Sequence, residues 1–214
     1  MSVHLRPEEI EAESFRIIEE EVGPHNWSAQ EWPIVRRVIH TSADFDYAKS
    51  MYISPDALSS GIAALKAGTG IVTDTTMIIS GMSKERYAPF GVKLACYVAD
   101  AQVAKDAKAQ LITRSIVAMR KGARDANNGI FVIGNAPTAL FELIRLIREE
   151  RVMPKLIVAL PVGFVGAAES KEALMQLAKE YPALPFITNS GRKGGSNVAA
   201  AVMNAILIQA GAGA

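Results

Sequence analysis

Hydrophobic residues recur along the chain at two spacings, and each spacing predicts a different element. Short runs that are apolar almost throughout are typical of strands buried on both faces, and five occur, at residues 70–73, 92–98, 129–133, 156–160 and 185–188. Segments with helical spacing lie between or after them, most clearly residues 101–119, 138–150, 168–180 and 197–209. We therefore predict a doubly wound α/β fold, with a mostly parallel sheet of about five strands and helices on both faces.

The first quarter of the chain is predicted to be mainly helical. A first helix is expected over Pro7–Val22, because Pro7 suits the first turn and Gly23 is followed by a proline that stops the helix. Its apolar stripe comprises Ile10, Phe15, Ile17, Ile18 and Val22. Ser14 falls on the same stripe, so its hydroxyl needs a hydrogen-bonding partner once it is covered.

Two further helices carry distinct local signals. A second helix is expected to begin near Ser28, because Ser28 and Glu31 have the spacing of a capping box, and Pro33 is close enough to shift that start. The helix over residues 138–150 is amphipathic. Its inward positions are Leu140, Leu143, Ile144 and Ile147, and its outward positions are Glu142, Arg145 and Arg148.

The chain of 214 residues shows no internal repeat or linker, which favours a single domain, with residues 1–69 mainly helical and residues 70–214 forming the α/β core. Its 50% hydrophobic and 21% charged residues are those of an ordinary globular protein. The 23 basic and 22 acidic residues leave a formal net charge of +1. Since no broad field attracts nucleic acid or acidic lipid, we expect neither partner, and an anionic ligand must be held by a few placed cations.

Cys96 is the single cysteine, which excludes an internal disulfide framework and a multi-cysteine metal site. Because it lies in the apolar run over residues 92–98, we predict an inert, buried thiol. The N-terminal residues have no apolar signal core, and no run has the length of a membrane span. We therefore expect a cytoplasmic protein without a membrane partner.

Distinctive loops follow four of the predicted strands, at the edge where parallel sheets bind ligands: residues 74–76, 134–138, 161–167 and 189–196. Three lead into helices, whose first N–H groups suit carboxylates or phosphates. For any one loop, the alternative is an ordinary strand-to-helix turn. No stretch matches the dinucleotide fingerprint or the P-loop, and residues 191–196 resemble a phosphate loop only loosely, so a nucleotide-dependent role is weakly supported.

The three histidines are His4, His25 and His40, and no two have metal-ligand spacing. We place His4 and His25 in solvated loops. His40 differs, because two arginines precede it and Arg37, His40 and Asp44 would share one face if the helix continues. From the pattern alone, a structural role for His40 stays open.

Four segments together resemble the precorrin-8X methylmutase family. They are VRRVIHT at residues 35–41, IGNAPTAL at 133–140, PVGFVGAAESK at 161–171 and GRKGGS at 191–196. The resemblance extends in the family's order from about residue 11 to about residue 207. One departure is Pro33, at a position where the family usually has a good helix former.

The resemblance implies an isomerase of corrin biosynthesis. Such an enzyme moves a methyl group from C-11 to C-12 of precorrin-8X, or of cobalt-precorrin-8, to give hydrogenobyrinic or cobyrinic acid. The resemblance implies no organic cofactor and no bound metal, and a homodimer with sites near the subunit boundary. It assigns the catalytic role to His40. The substrate contacts are expected at Ser14, Arg37, Arg114, Gly163, Phe164 and Arg192.

That chemistry fits a single proton donor. The migration occurs within one molecule, so it needs no nucleophile or hydride carrier, whereas a proton on a ring nitrogen makes the macrocycle more electron-demanding. Histidine has a suitable pKa, and general acid help contributes about 10²–10⁴-fold. Two alternatives remain at this stage: a non-catalytic tetrapyrrole carrier and a nucleotide-dependent transferase.

Overall fold

The computed structural model describes residues 6–212, and its central feature is a six-stranded sheet. The strands are β1 (Met51–Ile53), β2 (Gly70–Thr73), β3 (Leu94–Ala95), β4 (Asn128–Ile133), β5 (Leu156–Ala159) and β6 (Phe186–Asn189), in the order β1-β6-β5-β4-β2-β3. Every neighbouring pair is parallel except β1 and β6, which pair antiparallel. The predicted α/β fold with a mostly parallel sheet is confirmed.

Helices surround the sheet and include the predicted N-terminal one. They are α1 (Pro7–Val22), α2 (Trp32–Ser42), α3 (Tyr47–Ser50), α4 (Ala57–Lys66), α5 (Thr76–Gly81), α6 (Lys84–Tyr87), α7 (Ala101–Gln110), α8 (Arg114–Arg124), α9 (Pro137–Glu150), α10 (Ala167–Glu180) and α11 (Ser196–Gly211). A 3₁₀ turn covers Ala88–Phe90. Within the described part of the chain, no helix combines the length and the hydrophobicity needed to cross a membrane.

The four central strands β2, β4, β5 and β6 are buried on both faces, as their apolar runs predict. In β4, Ile130 and Val132 belong to the core on one side of the sheet, whereas Phe131 and Ile133 belong to the core on the other. The first core includes buried residues of α2, α4 and α11, and the second includes those of α9 and α10. Helix α11 packs directly against α2, α4 and α5, so it connects the N-terminal helices to the sheet.

Two strand predictions need correction. β1 was not predicted and lies in a region expected to be mainly helical. Its three residues alternate in burial and pair with β6, but they are too few to give a strand signal in the sequence. The predicted strand over residues 92–98 shrinks to the two residues of β3, which pair only with Ile71 and Val72. Cys96 follows that short ladder and is half-buried, so the prediction of a buried core thiol is wrong.

Helix boundaries also differ from the predictions. The helix expected over residues 101–119 is two helices, because Leu111 has a left-handed φ of 54° that ends α7. Ser28 and Glu31 do exchange capping-box hydrogen bonds, of 2.9 and 3.2 Å, but α2 begins only at Trp32. Ala43 ends α2 in a left-handed conformation, so Asp44 lies beyond the helix and not on a helical face with His40.

Glu142 of α9 is buried, contrary to its predicted outward position. Only 6% of its side chain is exposed, and its carboxylate accepts hydrogen bonds from Arg120 of α8 and from Arg145. Burial opposes ionisation of this carboxyl, but the hydrogen bonds from the two guanidinium groups outweigh that effect and lower the pKa of Glu142. Glu142 therefore links α9 to α8 through its ion pair with Arg120, and the two arginine side chains shield it from solvent.

Candidate active site

The ring of Phe15 organises a cluster of basic side chains where α1 meets α2. His40 is exposed in the last turn of α2 and contacts Phe15 edge-on, with 5.3 Å between ring centroids. The guanidinium carbons of Arg36 and Arg37 lie 4.1 and 5.4 Å from the centroid of the same ring. The spacing of α2 therefore gathers an imidazole and two guanidinium groups around one aromatic side chain.

Both arginines are paired with glutamates of α1. Arg36 binds Glu19, and Arg37 Nη2 lies 2.7 Å from Glu11 Oε1. Glu11 and Arg37 also line a cavity of about 720 Å³ whose apolar wall includes Phe90. Because the two glutamate side chains are nearly half exposed, a substrate carboxylate can replace them at small cost.

Ser14 precedes Phe15 and is half-buried on α1. Its hydroxyl donates a 2.8 Å hydrogen bond to the carbonyl of Ile10, which supplies the partner that its position on the stripe requires. The hydroxyl oxygen keeps lone pairs with which it can accept a further hydrogen bond. Because Ser14 adjoins Phe15, whose ring contacts both His40 and Arg37, the three residues lie near the same junction of α1 and α2.

A second group lies at the carboxyl edge of the sheet, in the loops that follow β5 and β6. The N–H of Gly163 donates to the carbonyl of Arg192 at 3.2 Å, and the guanidinium carbon of Arg192 lies 5.6 Å from the Phe164 ring centroid. Phe164 is 84% exposed. Gly163 has a φ of 148° and open space beside it, so the backbone there is accessible to a ligand. The structure brings these three predicted residues together.

Lys193 joins the two groups. Its ammonium lies 2.6 Å from a carboxylate oxygen of Asp44 and 2.6 Å from one of Asp46, both in the segment that follows α2. The Lys193 hydrogen bond and charge lower the pKa of Asp44. The loop that carries Arg192 is therefore attached to the segment that follows His40.

Arg114 belongs to neither group by its polar contacts. It is exposed at the start of α8, next to Thr113, whose hydroxyl donates to the Thr138 hydroxyl of α9 at 3.0 Å. Among residues 6–212 no hydrogen bond, ion pair or cation–π contact joins Arg114 to the His40 cluster or to Arg192. The sequence pattern predicted one helix over residues 101–119, so it could not place Arg114 at the start of a separate helix beside α9.

The loop at residues 134–136 already has an anion bound by its N–H groups. The carboxylate of Asp74 accepts hydrogen bonds from the N–H groups of Gly134, Asn135 and Ala136, at 2.9, 2.9 and 2.6 Å. Burial raises the pKa of Asp74, and the three hydrogen bonds oppose that rise. These donors are therefore unavailable to a substrate carboxylate, and this loop is a structural turn.

The loop after β6 contains a lysine network that the sequence does not reveal. Gly194 lies so close to the preceding loop that an added Cβ would be 2.2 Å from the carbonyl oxygen of Leu160. Lys171 of α10 is fully buried and donates to Asn189 Oδ1 at 3.0 Å and to the carbonyl of Lys193 at 2.7 Å. A lysine within an otherwise buried helix face was the only available signal for this network.

The remaining histidine predictions have separate outcomes. His25 is exposed, as expected, and stacks on Trp32 with 4.0 Å between ring centroids. It lines a cavity of about 600 Å³ that also includes Trp27 and Phe45. His4 lies outside the described residues. Across residues 6–212, no group of three or more His, Cys, Asp or Glu side chains is placed to hold a metal ion.

Comparison with known proteins identifies one family. The family model described as Precorrin-8X methylmutase matches residues 9–209. The chain is 50% identical over 209 residues to the cobalt-precorrin-8 methylmutase of Priestia megaterium, covering 98% of this chain and 91% of that protein. It is 37% identical to the precorrin-8X methylmutase of Sinorhizobium sp, covering 90% of each. The precorrin-8x methyl mutase structure from Thermus thermophilus superposes with a TM-score of 0.87 at 39% identity, covering 96% of this chain and 97% of that one.

Proposed function

The chain belongs to the precorrin-8X methylmutase family and is an isomerase of corrin biosynthesis, and from this premise we propose that His40 is its general acid and base. The observation that carries the proposal is the position of the imidazole. It is exposed at the end of α2, held edge-on against Phe15 and flanked by cations. A macrocycle with an apolar centre and a carboxylate rim suits these surroundings.

His40 donates a proton to a nitrogen of the macrocycle, which draws electron density from the neighbouring carbons. The bond from the migrating methyl carbon to C-11 breaks as its bond to C-12 forms. The proton then returns to His40, so substrate and product have the same composition. Imidazole suits both transfers because its ordinary pKa lies close to neutral pH.

We propose that the substrate spans both groups of the site. Ser14 and Arg37 then contact it beside His40, and Arg192 holds a carboxylate at the sheet edge. Phe164 and Gly163 would contact the apolar part of the ring, and Arg114 would hold a further carboxylate from the start of α8. The Lys193 contact with Asp44 and Asp46, which joins the two groups, supports this arrangement.

We also propose that the natural substrate carries cobalt. A relative that is 50% identical is named for cobalt-precorrin-8, whereas one named for precorrin-8X is 37% identical. The cobalt ion is part of the substrate in this proposal. Incubation with each macrocycle, followed by visible spectroscopy, tests it, because the rearrangement changes the conjugated path. Faster conversion of precorrin-8X than of cobalt-precorrin-8 would contradict it.

We further propose that the chain acts as one domain, works as a homodimer and resides in the cytoplasm. The family match over residues 9–209 supports the single domain. The exposed side chains of Phe164 and Val165, which are 84% and 90% accessible, support a second copy at this edge. The single cysteine supports a reducing compartment.

Replacing the imidazole tests the central proposal. We expect His40→Ala to reduce turnover by about 10²–10⁴-fold while corrinoid binding is largely kept, because general acid help has that magnitude. His25→Ala is the matched control, since His25 lines a different cavity, and it should retain wild-type turnover. Turnover by His40→Ala within a few fold of wild type would refute the role of His40. A wild-type protein that binds the macrocycle without converting it would favour the carrier.

A further inference from the structure

Lys171 is a buried cation without a buried counter-charge. Its side chain is fully inaccessible in α10, and within residues 6–212 no carboxylate pairs with it. Burial lowers the pKa of its ammonium to about 8. Placing a charged group in the interior is costly unless hydrogen bonds compensate, so the contacts that Lys171 makes must account for its presence.

The two contacts of Lys171 lie at the last residue of β6 and in the loop that follows it. Its ammonium donates to the side-chain oxygen of Asn189 at 3.0 Å and to the main-chain carbonyl of Lys193 at 2.7 Å. The amide of Asn189 donates to the same carbonyl at 2.9 Å and to the carbonyl of Ser190 at 3.0 Å. Lys171 and Asn189 together fix where the main chain of Lys193 lies.

The side chain of Lys193 transmits this constraint to α2. Its ammonium meets Asp44 and Asp46, each at 2.6 Å. Asp44 is in turn bound to its neighbours, since it accepts from the N–H of Asp46 at 3.0 Å and donates its own N–H to the Ser42 hydroxyl at 3.3 Å. Ser42 is the last residue of α2, two residues after His40.

We infer that Lys171 is a positioning residue: by holding the carbonyl of Lys193, it directs the Lys193 ammonium onto Asp44 and Asp46 and so fixes the end of α2 that carries His40. The inference rests on the proposal that His40 is the proton donor. An exposed lysine pairing with two carboxylates is weak when its backbone is free to move. Because Lys171 holds the main chain of Lys193 in a buried network, the Lys193 ammonium is kept facing Asp44 and Asp46.

Variants of both lysines test the inference. Lys193→Met removes an exposed ammonium, and Lys171→Met replaces the buried lysine with an uncharged side chain of similar length. We expect each to lower kcat about tenfold, because small errors in placing a catalytic group reduce rates strongly. The double variant should be no slower than the slower single variant, since both lysines act through one contact. Lys193→Arg, which keeps the positive charge on a long side chain, should retain most of the activity.

The imidazole signal of His40 in NMR spectra of the ligand-free enzyme provides a readout independent of activity. We expect it to shift in Lys193→Met and Lys171→Met, whereas Lys179→Met, an exposed lysine of the same helix α10, should match wild type in this signal and in kcat. A merely structural role predicts a lower melting temperature with unchanged kcat and an unmoved His40 signal, and that result would overturn the inference. If Lys171→Met fails to fold, wild-type kcat and an unmoved signal in Lys193→Met would overturn it equally.

The same experiments separate this inference from the proposed function. An active His40→Ala enzyme would refute the role of His40 whatever the lysine variants do. An inactive His40→Ala enzyme with unaffected lysine variants would refute only the positioning role of Lys171. Effects of the two lysine variants that multiply in the double variant would also refute it, because they would then act independently.

Discussion

The positively charged side chains at the candidate site differ in how strongly they are already paired with acidic side chains of the protein. Arg37 is paired with Glu11, and Lys193 is held by two aspartates, whereas Arg192 lies over the Phe164 ring. Glu11 is nearly half exposed, so solvent weakens its hold on Arg37 and a substrate carboxylate can displace it. Lys193, with two carboxylates and an anchored backbone, is better suited to holding the protein together than to binding substrate.

Arg114 is the proposed substrate contact with the fewest competing interactions. It is exposed, and among residues 6–212 no ion pair involves it. We expect Arg114→Ala to weaken substrate binding by about 10- to 150-fold, because one hydrogen-bonded charge contributes about 1.5–3 kcal/mol, and to change kcat less. Steady-state kinetics and product titration measure the two effects. Arg124→Ala, at the other end of α8, is the control, and a large loss of kcat with unchanged affinity would contradict the assignment.

At the scale of elements, hydrophobic periodicity predicted most of the longer helices and the buried strands. The range of α1, the four residues of β2 and the buried faces of β4 and β5 follow directly from periodicity and from capping or stop signals. β1 was not predicted, because three residues that pair with a distant strand carry almost no local sequence signal. The end of α7 at Leu111 was not predicted, because a leucine there adopts the left-handed conformation that glycine usually supplies.

The site could be predicted only in part for a related reason. The resemblance names single residues such as His40 and Arg192, but their neighbours depend on contacts between distant segments. Lys193 meets Asp44 across 149 positions of the chain, and the carboxylate of Asp74 binds N–H groups 60 to 62 residues away. Neither spacing follows from helical or strand periodicity, so neither network was predicted.

The Glu142 network gives a prediction for the packing of α8 on α9. Glu142→Gln keeps the volume but loses the charge, and we expect it to lower the free energy of unfolding at pH 7 by about 1–3 kcal/mol. Because the folded protein lowers the pKa of Glu142, this stabilisation is present above the ordinary pKa of glutamate and is lost as the pH falls through the lowered value. Denaturant unfolding at a series of pH values measures it.

The variant and wild type should therefore converge in acid. Glu172→Gln, an exposed position on α10, serves as the control and should differ little from wild type throughout. A Glu142→Gln protein as stable as wild type at pH 7, or a difference that persists unchanged at low pH, would show that the paired arginines do not stabilise the ionised carboxyl.

At the scale of the whole molecule, the buried cores on the two faces of the sheet contrast with an apolar surface at the edge of the proposed site. Val162, Phe164 and Val165 are 42%, 84% and 90% exposed in the loop after β5. Gly166 brings this loop within reach of Phe141, which is itself 41% exposed. Such side chains are costly to expose together, and they adjoin Arg192. A second copy covering them would also exclude water from the substrate.

The homodimer proposal therefore predicts that assembly and substrate binding change together. Val165→Asp places a charge in the proposed interface, and we expect it to convert a dimer into a monomer in light scattering and to weaken corrinoid binding, while the monomer stays folded because Val165 contributes little to either core. Met153→Asp is the matched control, since Met153 is 57% exposed but precedes β5, at the opposite end of that strand. It should remain dimeric with wild-type affinity. A wild-type monomer, or a Val165→Asp protein that stays dimeric, would exclude this surface as the subunit contact, and undiminished affinity in a monomeric variant would mean that one copy completes the site alone.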